Sequence, residues 1–278
     1  MGAHRVARMA LGLRIWTCST LAALAAAPAH AAPCSLAAAP EAVAVERALD
    51  GDTVRLDDGR EVRLAGVAAP KAPLGTRDDD WPIAAAAREA LEAQAGGRVL
   101  ELRLASASPD RHGRAVGYLA EIDERDHAGL AVRLLALGHL RVLADAAGRD
   151  CGATLAQAES AALGARLGLW SDPYYEVRNA HDGAALASLS GRFVVAEGRV
   201  ASVRTSAGRA YVNFGRRWRE ALSLSLSEAA LRKLGGFERL GVRSGMLVRA
   251  RGVVEIRRGP VIYVTDAAQV ESLDGRKR

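Results

Sequence analysis

Lysine is nearly missing from this chain: 3 Lys stand against 35 Arg in 278 residues. A GC-rich genome would account for that preference, though not for where the charges lie. Cysteines number only three, and the two beyond the first 31 residues do not by themselves make a structural zinc site, which takes four ligands. Beyond the first 31 residues no apolar run reaches the roughly 20 residues that a bilayer crossing takes, so no membrane insertion is expected of the mature chain.

The chain opens with Arg5, Arg8 and Arg14 before an apolar stretch from Ile15 to Ala27 and the small-residue site Ala29-His30-Ala31. Basic start, apolar middle and small-residue end make residues 1–31 a secretory signal peptide, cut after Ala31. A membrane anchor would need a longer apolar run. The mature protein is therefore expected to be secreted or periplasmic. Cys18 leaves with the signal, while Cys34 and Cys151 remain in a compartment where disulfides persist. A Cys34–Cys151 bridge would tie the mature N-terminus to the segment before the last helix of the first domain. Two free thiols are the alternative, since spacing does not fix the distance.

Charge divides unevenly along the chain. Residues 1–31 carry 3 basic and no acidic groups, 32–189 carry 17 and 24, and 190–278 carry 18 and 8, giving +3, −7 and +10. The strongly basic last segment points to an anionic partner. Two domains are expected, 43–173 and 190–273, joined by a small, polar linker over 174–189.

The hydrophobic pattern gives a β-meander from Ala42 to Leu64, turning at Asp57-Asp58-Gly59-Arg60. Pro82 starts a helix that Gly96-Gly97 stops. Two strands, a helix, a short strand and a third helix follow. Beyond the linker come about five strands with one helix near Glu228–Leu234, as a small closed barrel of oligonucleotide-binding (OB) type would have. The fold class is thus mainly β with helices (α+β).

Four motifs run in order: Asp50-Gly51-Asp52-Thr53; Val62-Arg63-Leu64 leading to Ala68-Ala69-Pro70-Lys71; Asp110-Arg111-His112-Gly113-Arg114; and Gly168-Leu169-Trp170-Ser171. Together they resemble the successive motifs of the thermonuclease (staphylococcal nuclease-like) family, over about residues 43–173. The resemblance implies an OB barrel with three helices, ahead of the second, small OB-like barrel read from the strand pattern. It also implies that Arg63 and Arg114 clamp a phosphate, a task suited to planar guanidinium donors. Asp52 stands at a family Ca²⁺-ligand position and Ala69 at one that uses only a carbonyl. The other two carboxylate positions depart from the pattern. Ala68 replaces an Asp ligand, and Lys71 replaces the Glu that positions the attacking water, so Lys71 is not expected to act as a base.

Loss of a general base alone costs about a hundred- to ten-thousand-fold in rate. A hard cation that wants several oxygen ligands is not expected beside Lys71. No cofactor is expected, and Ca²⁺ only if Asp78-Asp79-Asp80 folds back to rescue the site. In the last segment, Tyr211 to Arg219 interleaves aromatic and basic residues, and Tyr211, Arg216, Arg217 and Trp218 are the expected contacts to single-stranded DNA or RNA, or another polyanion. The alternative is that Tyr211 and Phe214 are core residues and Trp218 packs a rim. The expected function is phosphodiester binding with Ca²⁺-dependent hydrolysis weak or lost. An active phosphodiesterase using other carboxylates or His112 is one alternative, and a cell-envelope interaction module another.

Overall fold

The computed structural model describes residues 33–73, 75–77 and 80–274. The signal peptide expected over 1–31 lies outside them, as do Asp78 and Asp79. Among the described residues no helix is long and apolar enough to cross a membrane.

The first half folds as a closed five-stranded barrel with helices around it. Its strands are β1 (Glu41–Ala48), β2 (Thr53–Leu56) and β3 (Glu61–Leu64), then, after the short β4 (Val67–Ala68) and helix α1 (Pro82–Ala95), β5 (Val99–Leu104) and β6 (Ala115–Ala120). The closed order is β1-β2-β3-β6-β5, with β3 and β6 parallel and the other neighbours antiparallel. That mixed closure is compatible with an OB-like barrel. Alternation on β2 and β3 sends Val54, Leu56, Val62 and Leu64 into the core, leaving Thr53 and Arg63, which are cross-strand partners, on the other face.

Pro82 opens α1 because its missing N–H and fixed φ cost nothing at the first helical position. One side of α1, Ala84, Ala87, Leu91 and Ala95, is buried. Helix α2 (Gly129–Ala136), strand β7 (Arg141–Val142) and helix α3 (Gly152–Gly164) complete this half. Strand β7 pairs only with β4, as a two-stranded sheet beside the barrel. Cys34 and Cys151 form a disulfide with their Cα atoms 5.2 Å apart, which holds residues before β1 against the start of α3.

Residues 174–189, expected as a linker, are built into the fold. They contain β8 (Arg178–Asn179) and helix α4 (Gly183–Ala187), and Ala180 and Leu186 are fully buried. The composition is polar, but an Asp182 cap on the Ala185 amide and the pairing of β8 with β9 (Phe193–Arg199) give the backbone its partners. Then come β10 (Ser202–Ser206), β11 (Arg209–Asn213), β12 (Ser223–Ser227), α5 (Glu228–Lys233), α6 (Gly236–Arg239), β13 (Leu247–Ile256), β14 (Pro260–Tyr263) and β15 (Val270–Ser272).

Seven strands of this second sheet run β10-β11-β12-β14-β13-β9-β8, with β15 on β13. Between β9 and β10 lie only Val200 and Ala201, whose amides bond Met246 and Asn213 and so continue the ladders on either side. Taken as one bent strand, β9–β10 gives the cyclic order of the first barrel, including one parallel pair, β12 with β14. A second apolar core fills it.

The two halves meet over a third small core of Ala162, Leu169, Trp170, Tyr175 and Val195. Beside it Arg251, 1% exposed, is paired with the fully buried Glu159 of α3, and Glu159 also accepts the Val142 amide at 2.7 Å. Arg249 joins Glu197, Glu271 and Ser160, and Arg149 binds Asp266 at 2.7 Å. Part of the charge asymmetry read from the sequence is therefore spent inside the molecule.

Candidate functional site

The loop from β1 to β2 carries Asp50-Gly51-Asp52. A Cβ at Gly51 would lie 2.7 Å from the Ala87 Cβ and 2.8 Å from the Ala69 Cβ, so only glycine lets this loop sit between α1 and the segment after β4. Asp52, 3% exposed, accepts the Ala69 amide at 2.8 Å and the Thr53 hydroxyl at 3.0 Å. Asp50 accepts the Asp52 amide at 2.8 Å and the Lys71 ammonium at 2.6 Å. Lys71 Nζ also lies 3.9 Å from Asp52 Oδ1.

Burial pushes both carboxyls up. In Asp50 the charge and hydrogen bond of Lys71, helped by the Asp52 amide, outweigh burial and hold the group below its ordinary value. Asp52 lies deeper and faces the charge of Asp50. Its carboxyl is raised despite Lys71 and the Ala69 amide.

Arg63 and Arg114 approach the same place from β3 and from the residue before β6. Arg63 Nη2 donates to the Val67 carbonyl at 2.9 Å. Arg114 gives Nε and Nη2 to Asp110 Oδ2 at 2.9 and 2.8 Å and Nη1 to Thr53 Oγ1 at 3.2 Å. The Thr53 hydroxyl thus accepts from Arg114 while donating to Asp52. Burial raises Asp110, but the Arg114 guanidinium and the amides of His112 and Arg114 outweigh it and hold the group at about 2.

The side chains of Asp52, Lys71 and Arg114 are consequently joined through Thr53 and Asp50, with Arg63 beside Thr53 on the neighbouring strand. Ala68 presents only a methyl group, directly across from Arg141. Exposed His112 accepts from Arg111 Nε at 3.0 Å. Asp80 is exposed. Among the described residues, no three His, Cys, Asp or Glu side chains are grouped so as to hold a metal ion.

In the second sheet Tyr211 and Trp218 stack, with centroids 6.0 Å apart and planes 19° from parallel, whereas Phe214 is 1% exposed and belongs to the core. Arg204 lies 5.0 Å over Trp218 and 5.8 Å over Tyr211, and Arg258 lies 5.8 Å over Trp218. Arg209 covers Tyr263 at 5.2 Å. Arg209, Tyr211, Trp218, Arg258 and Tyr263 line a groove along β11, β12 and β14 of about 410 Å³. Arg216 and Arg217 stand exposed in the turn after β11, Arg217 paired with Glu220 at 2.9 Å. Sequence reading missed Arg204 and Arg258. Arg258 is far from the Tyr211–Arg219 motif along the chain, Arg204 lies seven residues before it, and strand pairing brings both to it.

Compared with known proteins, the chain matches no protein-family model and no curated sequence.

Proposed function

We propose that this is an exported thermonuclease-like protein that binds nucleic-acid phosphodiesters and has little or no Ca²⁺-dependent hydrolysis. It joins a thermonuclease-like OB domain to a basic OB-like one. The observation that carries this reading is the Lys71 ammonium, 2.6 Å from Asp50 and 3.9 Å from Asp52, in a cluster where Arg63 and Arg114 supply guanidiniums. Ca²⁺, the ion that the resemblance implies, does not suit these donors. It takes six to eight oxygens, and here a methyl and an ammonium stand where two carboxylates would. The cation is covalently attached instead; Asp50 and Asp110 offset Lys71 and Arg114, and Arg63, which has no carboxylate partner among the described residues, is the guanidinium left to meet an anion. The Tyr211–Trp218 stack with Arg204 and Arg258 supports the same reading, since flat rings and charges are what a single strand needs.

The test is fluorescence anisotropy of a labelled single-stranded oligonucleotide with the full chain. Binding should weaken steeply with salt, be unaffected by a chelator, and weaken further in Arg63→Ala and Arg114→Ala. Rapid cleavage that a chelator abolishes would overturn the reading in favour of an active phosphodiesterase. Affinity for an anionic envelope polymer but none for DNA or RNA would favour the envelope module.

A further inference from the structure

A cavity of about 310 Å³ lies between the two halves, and Lys71 forms part of its rim. Its volume falls within the range of small-molecule sites. The wall holds Arg141 from β7 and Arg192 just before β9, with the rings of Trp170, Tyr174, Tyr175 and Phe193 around them. The Arg141 guanidinium lies 4.4 Å from the Phe193 ring centroid and 5.7 Å from that of Tyr175. Its Nη1 reaches the Phe193 carbonyl at 3.4 Å, and its Nε is buried with no acceptor. Trp170 contributes a second buried donor without an acceptor, its Nε1. Arg192 lies over Tyr174, 3.7 Å from the ring centroid, and donates to the Tyr174 carbonyl at 3.1 Å.

Charge decides what such a cavity takes. Lys71 is neutralised by Asp50, and Arg178 by Glu176. Neither Arg141 nor Arg192 has a carboxylate partner among the described residues. A largely buried guanidinium such as Arg141, with no carboxylate in contact and only Glu159 acting from farther off, is costly to keep, and the half-buried Arg192 in the same cavity repels it. We propose that this cavity binds a phosphate monoester, with Arg141 and Arg192 as its paired counter-charges and the surrounding rings as the wall for an attached nucleoside. Two guanidiniums match a doubly charged group, and planar donors meet its oxygens two at a time. A strand end and free phosphate share this chemistry. Only the choice of a strand end rests on the nucleic-acid reading above; the charge of the cavity does not.

The test uses the full chain, with Arg141→Met and Arg192→Gln as variants. Inorganic phosphate, added against chloride at equal ionic strength, should raise the melting temperature of the wild type and give a calorimetric binding signal. Arg141→Met should melt higher than the wild type without phosphate, because an unpaired buried charge is gone, and should gain nothing from phosphate. An oligonucleotide with a 5′-phosphate should bind about tenfold tighter than its hydroxyl-ended twin, as one or two charge-assisted bonds provide. Both variants should lose that preference and keep their affinity for the hydroxyl-ended strand. Phosphate binding without any end preference would retain the cavity and overturn the strand end as its source. Phosphate binding with no affinity for either oligonucleotide would sink the nucleic-acid reading alone. No response to phosphate in the wild type would overturn the proposal. A destabilised or unfolded Arg141→Met would make Arg141 a structural strut as well, and loss or retention of phosphate binding in Arg192→Gln then decides the proposal, retention overturning it.

Discussion

Ala68 and Arg141 are direct cross-strand partners in the two-stranded sheet of β4 and β7, so the methyl at the position where the thermonuclease resemblance asks for a carboxylate faces a guanidinium without a carboxylate of its own. Directly opposed residues have their Cβ atoms about 4.5–5.5 Å apart.

Ala68→Asp is therefore expected to pair with Arg141 and to stabilise the protein by about 1–3 kcal/mol, the worth of a charge-assisted hydrogen bond, as read by urea unfolding. The same pairing competes with any metal. Ala68→Asp with Lys71→Glu should bring weak Ca²⁺ binding in calorimetry, and adding Arg141→Met should strengthen it. A folded triple variant with no Ca²⁺ affinity would show that more than these side chains separates the site from a metal centre.

Lys71→Ala should lose stability at neutral pH and lose none in strong acid. The folded Asp50 carboxyl lies below its ordinary value because of Lys71, so its contribution is present above about pH 4 and fades as pH falls through the lowered value. Asp52 is raised and works the other way, costing stability as pH rises through its folded value; without Lys71 that cost grows. Urea midpoints should separate at pH 7 and converge near pH 3. Parallel curves across that range would contradict the assignment.

Glu159→Ala should destabilise by about 3–5 kcal/mol, the usual cost of stripping one partner from a buried pair. It leaves Arg251 with Glu271 alone, at 3.2 Å, and the Val142 amide without its acceptor. Equilibrium unfolding measures the change, and a loss under about 1 kcal/mol would mean that water replaces the carboxylate without penalty.

Trp218→Ala should weaken single-strand binding by about 1–3 kcal/mol, the value of one stacked base, and leave the melting temperature nearly unchanged because Trp218 lies outside the apolar core. Anisotropy and thermal unfolding report the two effects separately. An unaltered affinity would remove the Tyr211–Trp218 stack from the interface.

Local signals made much of the fold legible. Alternation in β2 and β3, the turn at Gly59, and Pro82 with Gly96-Gly97 around α1 each act over a few residues, and each appears where the pattern placed it. Asp52, Lys71 and Arg114 were legible as a set only through the resemblance, and their joining through Thr53 was not. What escaped was long-range. Ala68 opposite Arg141, Arg258 over Trp218, and Glu159 beneath Arg251 depend on register between segments up to 92 residues apart, and no local preference encodes such meetings. The linker failed for a related reason. Its small, polar residues carry little preference of their own, and pairing with β9 decides their shape.

The Glu159–Arg251 pair also governs how this protein can be dissected. A fragment beginning near residue 190 would leave behind Glu159, Ser160 and strand β8; Arg251 would lose one of its two carboxylates and its cover, Asp266 would lose Arg149, and Arg249 would keep Glu197 and Glu271. Such a piece would bare a face that the parent molecule encloses, with Arg251 and Asp266 newly open to solvent, so binding by the severed barrel would measure the cut as well as the protein.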